Sequence, residues 1–334
     1  MAKIVLGLGT SHTPMLNAAA EEWRRFEELD RVRPQRHKDG RPCRYEDLLR
    51  VADDRAAQAL APERLTARHA EAMAALAGLR EALRRAELDA VIVVGDDQKE
   101  IYHDANMPSL LIYHGSAIPN LPLRTRVPGP EWHRRPEWSR RASARYYEES
   151  APREYPVDSA LAKHLIAALV EGEFDVACAD RLPDGEGEGH AFGFVHRRLM
   201  EDMALPIVPV FLNTYFPPNQ PTPRRCYRLG QAVRTAVETY SGNARIGVIA
   251  SGGLSHFTVD EEFDGEIIRA LRDKDAGALM ALPREKLNSG SSEIRNWICA
   301  AGALEHLDLR WIRYVPGYRT PAGTGTGMCF AEWA

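Results

Sequence analysis

Short apolar runs that alternate with longer helical patterns constrain the fold of this chain most strongly. The runs are nearly continuous, are bounded by Gly, Asp or Asn, and are separated by segments whose apolar residues recur about every 3.6 positions. Strands that are apolar along their whole length are buried on both faces of a sheet. The pattern therefore predicts an α/β fold, with a central, mostly parallel mixed sheet and helices on both faces.

The individual elements follow from the same pattern. The predicted strands are Ile4–Leu8, Ala90–Val94, Leu110–Tyr113, Phe174–Ala177, Ile207–Leu212, Ile246–Ala250, Trp311–Val315 and Met328–Ala331. The predicted helices are Glu63 to about Ala86, Val157–Glu171, Tyr227–Tyr240, Asp264–Ala276 and Glu293–Leu304. Pro62 stands where a proline is tolerated at a helix start, and Asp158 and Ser292 are predicted N-caps.

Two segments, 17–55 and 116–156, do not follow the alternation and are rich in Arg, Glu, Pro and Trp. They are either solvated surface insertions or a lid or subunit contact, because long ordered loops in compact domains are often functional. We expect one catalytic domain over residues 1–334 that carries both segments as lid-like insertions, assembled as a homodimer or a higher homo-oligomer.

Composition excludes several classes of protein. The formal net charge of −4 gives no broad basic surface for nucleic acid, and no apolar run approaches the ~20 residues of a membrane span. The amino terminus lacks the pattern of a signal peptide. The five cysteines are far apart and form no C-x-x-C pair, which argues against a zinc ribbon, a redox dithiol or a disulfide framework. We expect a cytoplasmic protein.

Four motifs carry residues that could do chemistry. They are "GLGTSHTPML" with His12, "VIVVGDDQKE" after an apolar strand, "IASGGLSHFT" with His256, and "NSGSSEIRNW" with Glu293. Each has a plainer explanation when taken alone: a structural histidine, a polar loop, or a glutamate that complements a helix dipole. However, the carboxyl ends of strands in an α/β sheet are where ligands are held. No nucleophile elbow is present.

The order and spacing of these motifs resemble the class III extradiol ring-cleavage dioxygenases. That family includes the protocatechuate 4,5-dioxygenase β subunit and the gallate and 3-O-methylgallate dioxygenases. The resemblance runs from "GLGTSHTPML" to "SSEIRNWICAAGAL" and covers most of the chain. It implies a non-haem Fe(II) held by two histidines and one glutamate, with open positions for a catecholate and O2.

The resemblance also implies roles for single residues. His12 matches the first histidine ligand, and Glu293 matches the glutamate ligand. His256, in "GGLSH", matches the acid/base histidine. His190, in "GEGHAFGF", matches a histidine that binds and polarises the substrate, and Thr13 is expected to touch the substrate ring.

The chain differs from the family pattern at the position of the second histidine ligand. Patterns such as G-P-D-H place that histidine where this chain has Gln98. Gln98 could ligate through its neutral oxygen, although that oxygen is a poorer donor to Fe(II) than imidazole. Alternatively, Asp97 or Glu100 supplies a carboxylate, or His103 reaches in from the following loop. Iron could also bind poorly or not at all.

The leading hypothesis is an Fe(II)-dependent extradiol dioxygenase of aromatic compound catabolism. Its substrates would be O2 and a small carboxylated catechol, such as gallate, methylgallate or protocatechuate, and arginines of the 116–156 segment could pair with the carboxylate. One alternative is a catalytically silent homologue or partner subunit. Another is a metal-dependent hydrolase or lyase on the same scaffold.

Overall fold

A nine-stranded mixed sheet forms the centre of the molecule in the computed structural model, which describes residues 1–123 and 136–334. Its strands are β1 (Lys3–Thr10), β4 (Ala90–Asp96), β5 (Leu110–Tyr113), β8 (Ala177–Ala179), β9 (Ile207–Leu212), β10 (Arg245–Ser251), β11 (His256–Thr258), β12 (Leu309–Tyr318) and β13 (Thr324–Trp333). Two small two-stranded sheets lie outside it: the hairpin of β2 (Gln35–Arg36) and β3 (Pro42–Cys43), and β6 (Ala117–Asn120) paired with β7 (Arg153–Pro156).

The sheet order explains where a site can form. The strands run in the order β11-β13-β1-β10-β4-β9-β5-β8, and β12 pairs with β13. The strands β1, β10, β4 and β9 are parallel neighbours, whereas β13 is antiparallel to β1, and β5 is antiparallel to β9. The carboxyl ends of the four parallel strands therefore meet at one edge of the sheet.

Helices cover both faces of this sheet. The α-helices of the described ranges are α1 (Glu27–Asp30), α2 (Tyr45–Val51), α3 (Asp54–Gln58), α4 (Pro62–Arg85), α5 (Glu137–Ala144), α6 (Ser159–Glu171), α7 (His190–Phe194), α8 (Pro223–Thr239), α9 (Glu261–Arg272), α10 (Ala276–Met280) and α11 (Ile294–Ala303). Short 3-10 turns and one π-helical segment, Val195–Met200, complete the helical structure there.

Successive side chains of β4 point to opposite faces of the sheet, and each face has its own hydrophobic core. Val91 and Val93 point into one core together with Leu76 and Leu79 of α4. The intervening residues of β4 point into a second core with apolar residues of α6, α8, α9 and α11. A strand buried on both faces requires this arrangement, so the predicted α/β class is confirmed.

Most predicted elements are present, with shifted ends. The strand predicted at Phe174–Ala177 is found at Ala177–Ala179. Asp158 is an N-cap and accepts a hydrogen bond from the Leu161 N–H. The N-cap predicted at Ser292 is wrong, because a 3-10 turn over Ser289–Glu293 leads into α11 and puts Glu293 in that position.

The two irregular segments both contain ordered structure. The first holds α1, α2 and the β2–β3 hairpin, and the described part of the second holds β6, α5 and β7. Four of the arginines predicted to pair with a substrate carboxylate, at positions 124, 126, 134 and 135, lie outside the described residues. Within the two described ranges, we find no helix with the length and apolar character needed to cross a membrane.

Candidate metal centre

Three strand ends and one helix start converge at the edge of the sheet. His12 lies two residues past the end of β1, and Asp96 is the last residue of β4. The ends of β1 and β10 are aligned, since Thr10 pairs with Ser251. Glu293 enters from the other side at the start of α11. Residues from both ends of the chain therefore share one space.

Four side chains point ligand atoms into that space. His12, Asp96, His190 and Glu293 each offer one nitrogen or carboxylate oxygen, and these atoms all lie within 4.8 Å of one another. His12 Nε2 is 3.2 Å from Glu293 Oε2, yet this buried nitrogen has no hydrogen-bond partner among the described residues. A buried polar atom without a partner is unfavourable, unless another group such as a cation binds it.

The hydrogen bonds of His12 leave Nε2 as its ligand atom. The Ser251 hydroxyl donates its only proton to the Ala191 carbonyl, at 2.7 Å. Ser251 Oγ must then accept the hydrogen bond that joins it to His12 Nδ1, at 3.0 Å. The neutral imidazole consequently carries its proton on Nδ1 and keeps a lone pair on Nε2. A histidine oriented in this way by a second group is typical of metal sites.

Two carboxylates are buried together in this cluster. Asp96 is fully buried, and Glu293 is 2% exposed. Burial and the nearby Glu293 charge raise the pKa of Asp96 above its usual range. Burial also opposes ionisation of Glu293, but the neighbouring His256 and His12, when they are protonated, outweigh burial and lower the pKa of this carboxyl.

One imidazole nitrogen and two carboxylate oxygens are suitable ligands for Fe(II). A divalent cation would also offset the cost of two buried carboxylates. The residues present therefore fit the metal that the resemblance implies.

The structure also locates the other candidates for the missing ligand. The Gln98 amide donates to Glu293 Oε1 at 3.2 Å and to Asp96 Oδ2 at 3.3 Å, so Gln98 borders the cluster. The Asp97 carboxylate points elsewhere and accepts backbone hydrogen bonds from residues 100–102. His103 is exposed on the loop that follows.

His190 is held by a carboxylate on the side away from the cluster. Its Nδ1–H donates to Glu100 Oε2 at 2.6 Å, and its backbone N–H donates to the same oxygen. Burial disfavours the imidazolium, but the Glu100 carboxylate outweighs burial and raises the pKa of His190 to about 10. At neutral pH this pKa favours a charged His190, whose Nε2–H can donate to a substrate oxygen, the role that the resemblance implies.

His256 presents Nε2 to the cluster from a glycine-rich loop. Its Nδ1–H donates to the Leu254 carbonyl at 2.9 Å, and its Nε2 is 3.5 Å from Glu293 Oε2. The Gly253 N–H donates to the same Glu293 oxygen at 2.7 Å. Glycine is required at Gly252, whose φ is +157° and where an added Cβ would lie 2.9 Å from the Glu293 Cβ.

A buried aspartate on α9 anchors this loop. The Ser255 hydroxyl donates to Asp264 Oδ2 at 2.6 Å, and the Ser255 N–H donates to Asp264 Oδ1 at 2.9 Å. The Tyr314 hydroxyl also donates to Asp264, at 2.6 Å. The Asp264 carboxylate therefore holds Ser255, the residue before His256, in place.

The 116–156 segment contributes to the surroundings of the cluster. The Tyr146 hydroxyl donates to the His12 carbonyl at 2.6 Å, and the Tyr147 hydroxyl donates to Glu100 Oε1 at 2.6 Å. Thr13 is buried, and its Oγ1 caps the turn that begins at Pro14.

Sequence reasoning did not single out Asp96, or the contacts that Glu100 and Tyr146 make around the cluster. Residues Ile92, Val94 and Asp96 share one face of β4, so strand parity separates Asp96 from Asp97 and could have shown which one faces the site. The hydroxyl contact of Tyr146 with His12 crosses most of the amino-terminal half and leaves no local signal.

Comparison with known proteins gives a family match over the carboxyl-terminal part of the chain. Residues 139–328 match the family described as the catalytic LigB subunit of aromatic ring-opening dioxygenase. This stretch includes His190, His256 and Glu293.

Individual relatives match shorter stretches. The chain is 30% identical over 200 residues to a gallate dioxygenase of Pseudomonas putida, a match covering 55% of this chain and 57% of that protein. It is 33% identical over 105 residues to a 2,3-dihydroxyphenylpropionate/2,3-dihydroxicinnamic acid 1,2-dioxygenase of Cupriavidus necator, covering 30% of each chain. A protein of the same description from Cupriavidus pinatubonensis matches to the same extent. The matches thus span little more than half of the first relative and under a third of the others.

With more than half of its length matched by the family model, the chain belongs to the LigB family of aromatic ring-opening dioxygenases.

Proposed function

We propose that this protein is an Fe(II)-dependent extradiol dioxygenase that opens the ring of a carboxylated catechol with O2. The observation that supports this most directly is the buried cluster of His12, Asp96 and Glu293, with the Nε2 of His256 beside it. Gallate dioxygenase among the relatives supports a catechol with a carboxylate as the substrate class.

His12, Asp96 and Glu293 would hold the metal. The three supply one neutral nitrogen and two carboxylates, so the charge of the carboxylates balances that of a divalent cation. Gln98 would then hydrogen-bond both carboxylates and orient them, a role that partners of metal ligands commonly have. This assignment replaces Gln98 with Asp96 as the third protein ligand.

Fe(II) bound in this cluster would supply open coordination positions for the catechol and for O2, which hold the two reactants together. The protein's own groups handle the protons. His256 carries its proton on Nδ1 when neutral, so Nε2 can take a proton from a substrate hydroxyl. His190, kept charged by Glu100, would donate its Nε2–H to a substrate oxygen where negative charge develops.

Oxygen uptake by the Fe(II)-loaded protein tests this proposal. We expect uptake with gallate, 3-O-methylgallate or protocatechuate that disappears on chelation and in His12→Ala. No uptake with any of these catechols, or uptake that persists in His12→Ala, would contradict the proposal. Tight Fe(II) binding without uptake across the panel would instead support a catalytically silent homologue.

A further inference from the structure

A cleft rich in basic residues opens beside His256, on the side where the β2–β3 hairpin meets β11. Its lining includes Arg36, Lys38, His256, Asp260, Lys286 and Ser291. The hairpin is fixed there because the Thr258 hydroxyl donates to the Arg36 carbonyl at 2.7 Å. A residue of the amino-terminal insertion thereby borders the candidate site.

Arg36 differs from the other cations of this cleft. Lys38 and Lys286 share one carboxylate, with Nζ atoms 3.9 Å and 3.4 Å from Asp260. The Arg36 guanidinium instead donates to neutral oxygens, through Nε to Ser289 Oγ at 2.5 Å and through Nη1 to the Gly40 carbonyl at 2.9 Å. Across residues 1–123 and 136–334, no carboxylate lies within 4.0 Å of it.

The segment 289–291 links Arg36 to His256, because Ser289 accepts from Arg36 and the Ser291 hydroxyl accepts from the His256 N–H at 2.8 Å. The residue after Ser289, Gly290, packs so closely on His256 that an added Cβ would lie 2.5 Å from the His256 Cβ. Arg36 is therefore placed close to the group proposed to accept the substrate proton.

We propose that Arg36 binds the carboxylate of the ring substrate and sets the direction in which the ring enters. This inference rests on the proposed function. With a divalent cation bound, the charges of Asp96 and Glu293 are balanced, so the metal side offers a substrate carboxylate little net attraction. Arg36, which has no acidic partner among the described residues, attracts one. The planar guanidinium also matches a carboxylate through two parallel hydrogen bonds. The two ring hydroxyls are then left facing the metal cluster.

Binding of two matched ligands under anaerobic conditions tests the inference. The ligands are 3,4-dihydroxybenzoate and its uncharged analogue 3,4-dihydroxybenzamide, titrated into Fe(II)-loaded protein. In Arg36→Met the preference for the benzoate should fall by about 10- to 100-fold, the range for a lost hydrogen bond to a charged group. Affinity for the benzamide should stay unchanged, which also shows that the variant site is folded.

Two further variants complete the test. Arg36→Lys should restore part of the preference, since it keeps the charge and loses the paired hydrogen bonds. Arg41→Met is the matched control, because Arg41 lies near the same hairpin, is exposed, and pairs with Asp39 at 2.7 Å. It should leave both affinities unchanged.

The inference about Arg36 is overturned if Arg36→Met keeps the wild-type preference, or if it weakens both ligands equally. In either case the proposed function stands as long as the wild-type protein binds and cleaves the benzoate. Failure of the wild-type protein to bind either catechol, together with no oxygen uptake with gallate or 3-O-methylgallate, would instead remove the proposed function itself.

Discussion

His12 and His256 both lie beside Glu293, yet their hydrogen bonds and burial give them different tasks. His12 is 3% exposed, and its Nε2 has no hydrogen-bond partner in the two described ranges. His256 is partly exposed toward the basic cleft, with its Nε2 at the longer distance of 3.5 Å from Glu293. A ligand needs a fixed, buried lone pair, whereas a proton acceptor needs access to the substrate.

Replacing His256 should separate these two tasks. We predict that His256→Gln retains Fe(II) and loses ring cleavage by about 10²–10⁴-fold, the usual contribution of general acid–base catalysis. Metal analysis and oxygen uptake on the same preparation measure both effects. If His256→Gln lost its iron, His256 would be a ligand and the assignment of Asp96 would have to change.

Asp96 and Gln98 should differ in what they contribute to metal affinity. Asp96→Asn keeps the shape of the side chain and removes a negative charge, so we expect Fe(II) affinity to fall by more than about 100-fold. Gln98→Ala removes only hydrogen bonds to the carboxylates, for which a loss of about 10- to 100-fold is typical. Anaerobic titration with Fe(II) measures both, and a larger loss in Gln98→Ala would make Gln98 the ligand.

At the scale of single residues, the sequence predicted a site residue where a motif determined the backbone conformation around that residue. His12, His256 and Glu293 were identified from the order of their motifs, and the structure brings all three together. Asp96 and Asp97 are adjacent in the chain, and only the parity of β4 assigns one to the cluster. The tautomer of His12 depends on Ser251, which lies on a neighbouring strand but far away in the chain, so no local pattern contains this contact.

At the scale of elements, the position of Glu293 depends on how closely α8 and α11 pack. An added Cβ at Gly230 would lie 1.9 Å from the Cys299 carbonyl oxygen, and one at Gly302 would lie 2.1 Å from the Tyr227 carbonyl oxygen. The two backbones are thus in direct contact, and only glycine permits that contact. Because α11 begins at the metal cluster, any outward shift of this helix moves a ligand.

Two glycine-to-alanine substitutions test this contact. We predict that Gly302→Ala lowers the free energy of unfolding by about 1–3 kcal/mol through overpacking, and also weakens Fe(II) binding. Gly78→Ala in α4 is the matched control, since its Cβ would meet Trp311 at an ordinary 3.4 Å. It should raise the free energy of unfolding by about 0.5–1 kcal/mol through helix propensity. Urea denaturation measures both, and equal effects would contradict the proposed backbone contact.

The anchor of the His256 loop predicts a pH dependence of stability. Burial raises the pKa of Asp264 to about 7, and hydrogen bonds from Ser255 and Tyr314 offset only part of the shift. The folded state binds this proton more tightly than the unfolded state, so the stabilisation is complete below about pH 4 and is lost as pH rises through 7.

Asp264→Asn should remove that dependence. Between about pH 4 and 7, the free energy of unfolding of the wild-type protein should fall relative to the variant by about 1 kcal/mol per pH unit. Denaturant unfolding at several pH values measures the difference. Parallel stability profiles for the two proteins would show that Asp264 is not buried as a proton-bound carboxyl.

Elements were predictable where one periodicity persisted over many residues. The helix predicted from Glu63 is found at Pro62–Arg85. The helix predicted at Asp264 begins earlier, at Glu261, because the Asp260 side chain caps it. The three-residue strand β11 was not predicted, since its pairing with β13 is a long-range contact that a short polar stretch does not encode.

At the scale of the whole molecule, the parallel order of β1, β10 and β4 gathers residues from distant parts of the chain into one site. Apolar strands with helices between them were enough to predict this architecture. The placement of the β2–β3 hairpin beside β11 was not predictable, because it depends on the contact of Thr258 with Arg36. That contact holds Arg36 in the lining of the basic cleft beside His256.

The fate of the oxygen atoms tests the central claim most directly. Fe(II)-loaded protein should be supplied with gallate, 3-O-methylgallate or protocatechuate and ¹⁸O2, and the product analysed by mass spectrometry. The proposed function predicts a ring-opened product that carries both atoms of one O2 molecule, and no product from His12→Ala. An intact ring, a product without labelled oxygen, or the same product from His12→Ala would contradict it.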